Sequence, residues 1–171
     1  MPSNLTISSG VDYPYGLSDT KIRQHHTISL IRRGATAIDL VVNPVHLINN
    51  NRHLLMDDIQ ANRAICIDNN IIFRVMLEYR HFSQDIYYEM VKICKLLKLP
   101  YIFPSTGHFP DDYIDNLIVC KLIQNEYTEA KLITNGNIWQ KKHYDIIKES
   151  NIYGLRMQSG YDFGVLYIDR T

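Results

Sequence analysis

Apolar positions along this chain fall into two alternating rhythms. Short runs of β-branched and aromatic residues recur at 5–9, 37–42, 71–77, 100–103, 130–134 and 153–157, with starts roughly thirty residues apart. Helix-length amphipathic stretches lie between them, near 18–33, 54–69, 83–97, 111–125 and 140–149. The punctuation agrees with this reading. Ser18 and Ser83 suit N-caps, Pro110 before Asp111 and Asp112 suits a first helical turn, and Gly34 stands where a helix stop belongs. The pattern is a repeated βα unit. Five crossovers predict about six parallel strands in one α/β domain spanning residues 1–171.

Short right-handed crossovers leave two architectures, a doubly wound open sheet or an arc of a (β/α)₈ barrel, and periodicity does not choose between them. Both place ligand groups at the C-terminal ends of the strands. Those ends are polar here: Asn43, then Ser105-Thr106-Gly107, Asn135-Gly136-Asn137 and Gln158-Ser159-Gly160. Hydroxyls, amides and accessible backbone N–H groups suit a phosphate or a polyhydroxylated carbon chain. Strand-to-helix turns also attract Ser, Asn and Gly simply for capping and for positive φ.

Composition narrows the classes. With 46% hydrophobic and 21% charged residues, a chain of 171 residues is neither disordered nor fibrous. Eighteen Lys plus Arg balance eighteen Asp plus Glu, so no excess positive field draws a nucleic acid or an anionic membrane. Cys66, Cys94 and Cys120 are odd in number and set among apolar neighbours, and read as reduced core thiols. No apolar run reaches a membrane span and the first ten residues lack a signal pattern, which predicts a cytosolic location. The abundance of Asn, Ile, Tyr and Lys fits an AT-rich genome, so a viral source would place it in host cytoplasm.

The linear order of segments resembles the 2-deoxyribose-5-phosphate aldolase family, class I aldolases on a TIM barrel. Ile7-Ser8-Ser9 through Tyr15-Gly16, then Gly34-Ala35-Thr36-Ala37-Ile38-Asp39-Leu40-Val41, resembles the family's third and fourth strands. Phe73-Arg74-Val75-Met76-Leu77-Glu78 is similar to the fifth strand, and Tyr101-Ile102-Phe103-Pro104-Ser105-Thr106-Gly107 to the signature around the Schiff-base lysine. Lys131 to Ile138 and Tyr153 to Gly160 are similar to the seventh and eighth strands with their small-residue turns. The resemblance implies an incomplete TIM-barrel-like repeat of family strands three to eight.

The departures bear on function. The family's Schiff-base lysine falls at Phe103, and the second lysine, which lowers the first one's pKa, falls at Ile133. Asp39 matches an aspartate used in proton relay, and Arg74 stands in place of a strand-five lysine. The resemblance therefore implies a degenerate, catalytically inactive aldolase-like protein. Its rim at Ser105, Thr106, Gly107, Gly136, Asn137, Ser159 and Gly160 would hold a phosphorylated sugar or a nucleotide-like anion. An interaction or structural subunit, its pocket filled by Phe103 and Ile133, is an equal reading. The alternative is an active lyase on deoxyribose 5-phosphate. It would use the displaced amine of Lys131, two residues before Ile133 on the same strand face.

No cofactor is implied. His81, His108 and Asp39 have no spacing that supports a metal site. The family's first two strands have no counterpart before Leu5, so six strands would leave open edges. A second copy, a partner chain or the strand-like segment 161–171 is expected to cover them, with Tyr161, Phe163, Val165 and Tyr167 as contacts.

Overall fold

A computed structural model describes residues 5–136, 138 and 140–157. The expectations placed on Asn137, Ser159, Gly160 and segment 161–171 lie outside the described residues.

Six strands, β1 (Ser8–Val11), β2 (Ala37–Val41), β3 (Ile72–Met76), β4 (Tyr101–Phe103), β5 (Lys131–Thr134) and β6 (Gly154–Leu155), pair in parallel in the order β1-β2-β3-β4-β5-β6. A doubly wound sheet reverses its order at a switch point; this one never does, so the strands form a barrel arc. The helices are α1 (Thr20–Arg32), α2 (Pro44–Ile48), α3 (Arg52–Asp68), α4 (Gln84–Leu96), α5 (Tyr113–Glu126) and α6 (Lys141–Glu149), with a 3₁₀ turn at Tyr79–His81. None of them is long and apolar enough to cross a membrane.

The boundaries follow local chemistry, and several shift from the sequence reading: α5, expected from Asp111, begins at Tyr113 because the Asp112 side chain caps it by accepting from the Ile114 N–H. β1 pairs from Ser8 to Val11, starting three residues and ending two residues later than the apolar run, with the Ile7 carbonyl accepting from the Thr36 and Ala37 amides just before it. Asp19 rather than Ser18 caps α1, accepting from the Ile22 N–H at 3.1 Å. Ser18 is instead bonded through its own N–H and hydroxyl to Asp12. The loop after β2 contains an unforeseen helix, α2, started by Pro44 and capped by the Asn43 side chain. Gly34 ends α1 with φ of +98°, as expected of a C-terminal stop.

Strand pleating sorts the side chains. Ile38, Leu40, Phe73, Val75, Leu77, Ile102 and Leu132 face outward and are buried against Leu55, Ile59, Met90, Ile93 and Ile123 of the helices. The three cysteines are buried and unpaired, and burial pushes each thiol up to about 12, so they act as small apolar groups. Asp39, Val41, Arg74, Met76, Phe103 and Ile133 point the other way, to the barrel interior.

The α1–α3 contact is polar at its centre. Arg23 and Thr27, one turn apart on α1, are fully buried, as are Asp58 and Asn62 on α3. The Arg23 guanidinium lies 3.0 Å from Asp58 Oδ2 and donates to the Val41 carbonyl, which ends β2, and to the Gly16 carbonyl in the turn after β1. Thr27 Oγ1 donates to Asn62 Oδ1 at 2.8 Å, and Asn62 donates to the Asp58 carbonyl at 2.9 Å. Burial lowers the Arg23 pKa and raises that of Asp58, while their mutual attraction opposes both shifts. Gly16 is required here: its φ is +69°, and a Cβ would lie 2.7 Å from the Val42 carbonyl oxygen.

Replacing Arg23 by Met strands a buried carboxylate, so urea unfolding is expected to show a loss of about 3–5 kcal/mol. Adding Asp58→Leu to that variant is expected to recover much of the loss. A double variant no more stable than Arg23→Met would mean that the bonds to the Val41 and Gly16 carbonyls, rather than the charge pair, carry the effect.

Candidate functional site

The parallel register sets Asp39 of β2 directly beside Arg74 of β3 on the inner face. Arg74 Nε donates to Asp39 Oδ1 at 2.5 Å and Nη2 to Oδ2 at 3.0 Å, a bidentate pair. Ser8 of β1 completes it, donating to Asp39 at 2.6 Å and accepting from Arg74 at 2.5 Å. The Arg74 guanidinium also lies 5.2 Å from the centre of the Phe103 ring.

The next layer toward the strand C-termini is apolar. Val41, Met76, Phe103 and Ile133 form one buried cluster. With Ser8, Gly10, Tyr13, Asp39, Arg74, Leu155 and Arg156, three of these side chains line a cavity of about 560 Å³. Phe103 and Ile133 thus stand at the cavity wall. Lys131 does not join them: it opens β5, is exposed, and holds its amine 5.2 Å and 5.3 Å from the Tyr101 and Tyr153 ring centres.

At the rim the hydroxyls are engaged by acids. Thr106 is fully buried, and its N–H and Oγ1 both donate to Glu78 Oε2, at 3.0 Å and 2.7 Å. Ser105 Oγ donates to Asp111 Oδ2 at 2.7 Å. Asp111 also accepts from Asn116, Tyr79 at 2.5 Å and Arg80 at 3.1 Å. Burial and this hydrogen bond raise the Tyr79 pKa, keeping its hydroxyl a donor. Asn116 Oδ1 accepts from the Asn135 N–H, and Asn135 donates to the Ser105 carbonyl at 2.6 Å. The loops after β4 and β5 are thereby fastened together.

Gly107 and Gly136 line a second cavity of about 350 Å³ with Tyr13, His108, Asn135, Arg156 and Met157. At Gly136 φ is +121° and a Cβ would stand 2.8 Å from the Tyr113 Cα, so only glycine fits. His81 and His108 pack edge-on to Phe109, and His108 also to Tyr13 and Tyr15. Among the described residues, no group of His, Cys, Asp and Glu side chains is arranged to hold a metal ion.

Several residues of this site were not singled out from sequence as site residues: Ser8, Tyr13, Glu78, Asp111, Asn116 and Arg156. Arg156 had a signal, a cation inside a strand-forming run, whereas Asp111 reads as an ordinary helix-start acid.

No protein-family model matches the chain. Among curated proteins it is similar to the deoxyribose-phosphate aldolase of Treponema denticola, 23% identical over 106 residues that cover 62% of this chain and 49% of that protein. Among solved structures, an aldolase, QR15, superposes with a TM-score of 0.86 at 18% identity, covering 97% of this chain and 74% of that one. The tetrameric deoxyribose phosphate aldolase from Aeropyrum pernix superposes with a TM-score of 0.80 at 13% identity, covering 98% and 69%. The chain spans about half the length of the curated relatives first matched. Its resemblance to deoxyribose-phosphate aldolases therefore holds in sequence and in fold, over part of their barrel.

Asn116 bonds both rim loops, through Ser105 and the Asn135 N–H, and Asp111 holds Asn116 and Ser105 in place. Asp111→Ala is expected to cost about 3 kcal/mol or more, since several hydrogen bonds to a charged acceptor are lost together. Amide hydrogen exchange at 105–107 and 135–136 should quicken in parallel; unchanged exchange there would show that the loops hold without it.

Proposed function

We propose that this chain is an aldolase-like barrel domain that binds a small phosphorylated sugar, or a related nucleotide-like anion, and does not carry out Schiff-base aldol cleavage. The observation that carries the reading is the composition of the cavity wall. Schiff-base chemistry needs a deprotonated primary amine beside the carbonyl carbon. The layer that faces the cavity offers Met76, Phe103 and Ile133, and the cations that line the cavity are the guanidiniums of Arg74 and Arg156. An arginine holds its proton and has no lone pair to attack a carbonyl, but it binds oxyanions well. The volume suits a ligand of sugar-phosphate size. In this reading Asp39 orients Arg74 and Ser8, and Gly107 and Gly136 let the ligand approach the rim backbone. Thr106 and Ser105 shape the loop from within.

A second reading is supported by the sheet edge. Leu5 and Ile7, 61% and 46% exposed, flank β1, whose outer side has no strand neighbour among the described residues. We propose that this edge is covered by another copy or by a partner protein.

Two measurements check these readings. Millimolar 2-deoxyribose 5-phosphate is expected to raise the melting temperature, by about 2.7 kcal/mol of added stability at a hundredfold excess over Kd, without retro-aldol cleavage and without a borohydride-trapped adduct. Absence of a shift with every phosphate ester would sink the binding reading; an adduct mapping to Lys131 would establish the displaced-lysine lyase instead. Light scattering at micromolar concentration is expected to report a multiple of the chain mass. A strictly monomeric, non-aggregating protein would show that the β1 edge needs no cover.

A further inference from the structure

Helix α5 is apolar on both of its faces. Toward the sheet it buries Leu117, Cys120 and Ile123, the inner stripe that a barrel helix presents to its strands. On the opposite face it carries a second stripe, Ile114, Ile118 and Leu122, which are 40%, 54% and 40% exposed. Side chains four residues apart stand one above the other, so these three form a continuous ridge. A helix that is hydrophobic all round belongs in an interior, and the outer ridge of α5 is therefore expected to be buried in an assembly. The apolar strip extends beyond the ridge. Val119 and Leu122 also line a groove of about 210 Å³ between α5 and α4, which Phe82, Tyr88 and Val91 line from the α4 side.

The charges beside the ridge indicate what covers it. Asp115 and Lys121 stand three residues before and three residues after Ile118, so the helical turn sets them on opposite flanks of the ridge, an acid on one side and a base on the other. Each has a partner within its own chain: Asp115 meets Arg80 at 3.1 Å, and Lys121 donates to the Ser150 carbonyl at 2.6 Å and to Gln124 at 3.3 Å. Neither is saturated, because Arg80 engages one carboxylate oxygen and an ammonium has three donors. A two-fold axis through Ile118, perpendicular to the helix, would bring any residue after Ile118 in one copy against the residue equally far before it in the other. Lys121 then faces the partner's Asp115 on both flanks, and Ile114 stands against the partner's Leu122, at the edge of the partner's groove. A partner of one charge sign gains at one flank and loses at the other, whereas a second copy gains at both.

We infer that α5 is a self-association helix: two copies of this chain pack antiparallel through Ile114, Ile118 and Leu122, with Asp115 and Lys121 setting the register. This surface is separate from the β1 edge. Helix α5 joins β4 to β5, well along the sheet from β1, so both surfaces can be occupied at once.

Sedimentation of the full chain and of three variants at micromolar concentration tests this. The native chain is expected to form a dimer, or a larger assembly of even number if the β1 edge is also covered. Ile118→Lys places two cations on the symmetry axis and is expected to weaken the association by about a hundredfold, halving the mass without lowering the melting temperature of the subunit. Asp115→Lys and Lys121→Asp each set like charges together on both flanks, and each alone is expected to dissociate roughly tenfold more readily than the native chain. Mixed in equal amounts they should recover native affinity as a heterodimer, because the doubly basic face of one meets the doubly acidic face of the other. A role confined to contacts within one chain cannot produce that recovery. A monomeric native chain overturns the inference. Native mass in Ile118→Lys also overturns it and places the association elsewhere, at the β1 edge or another face. Charge variants that associate as the native chain does, or a mixture that stays as dissociated as its components, overturn the antiparallel register. Should Ile118→Lys fail to fold, the charge variants and their mixture decide.

Discussion

The mouth of the barrel depends on a buried guanidinium. Arg23 sits where a helix normally presents an aliphatic side chain to the sheet, and its donors reach the carbonyl that ends β2 and the carbonyl of the Gly16 turn after β1. Asp58 balances its charge from α3. In a fully buried site neither ion is tolerable alone, so the two helices, the end of β2 and the β1 turn have one arrangement that satisfies them together. Tyr13 belongs to that turn, and it is the ring on which the Arg156 guanidinium rests. The buried pair thus fixes one wall of the cavity from behind.

The interior is built in layers because parallel register brings equivalent residues of successive strands to equal height. The lowest polar layer is the Ser8, Asp39 and Arg74 cluster, in which every oxygen of the carboxylate has a donor. Above it lie Met76, Phe103 and Ile133, and level with them the Arg156 cation enters from the far side. An apolar layer above a neutralised ion pair lowers the local dielectric, which strengthens the electrostatic interactions of both guanidiniums that border it.

Rim chemistry shows why a Ser-Thr-Gly turn is ambiguous. Hydroxyls at a strand end serve a ligand only if nothing inside the protein takes their protons. Glu78 and Asp111 lie beneath this turn and take both, and Asn116 and Asn135 bind the neighbouring loop to it. The turn is rigid as a result. Gly107 lines the second cavity with Gly136 of the neighbouring loop, and the carbonyl of Thr106 holds Arg156.

The sequence by itself determined the repeat of strand and helix, the number of strands and the helix stop at Gly34. Those features are local or periodic: each follows from spacing along one element and from what a pleat or a helical turn does to it. The resemblance to an aldolase barrel was legible for the same reason, since order and spacing survive low identity. Tertiary structure alone decided the rest. Arg23 and Thr27 give α1 a polar inner face that reads as exposed until Asp58 and Asn62, some 35 residues away, arrive to satisfy them. Whether the Thr106 hydroxyl is free depends on Glu78, 28 residues before it, and the environment of Arg156 depends on residues from three other segments, at Tyr13, Met76 and Thr106. Hydrogen bonding and charge compensation are properties of pairs distant in sequence, so no single stretch of chain records them.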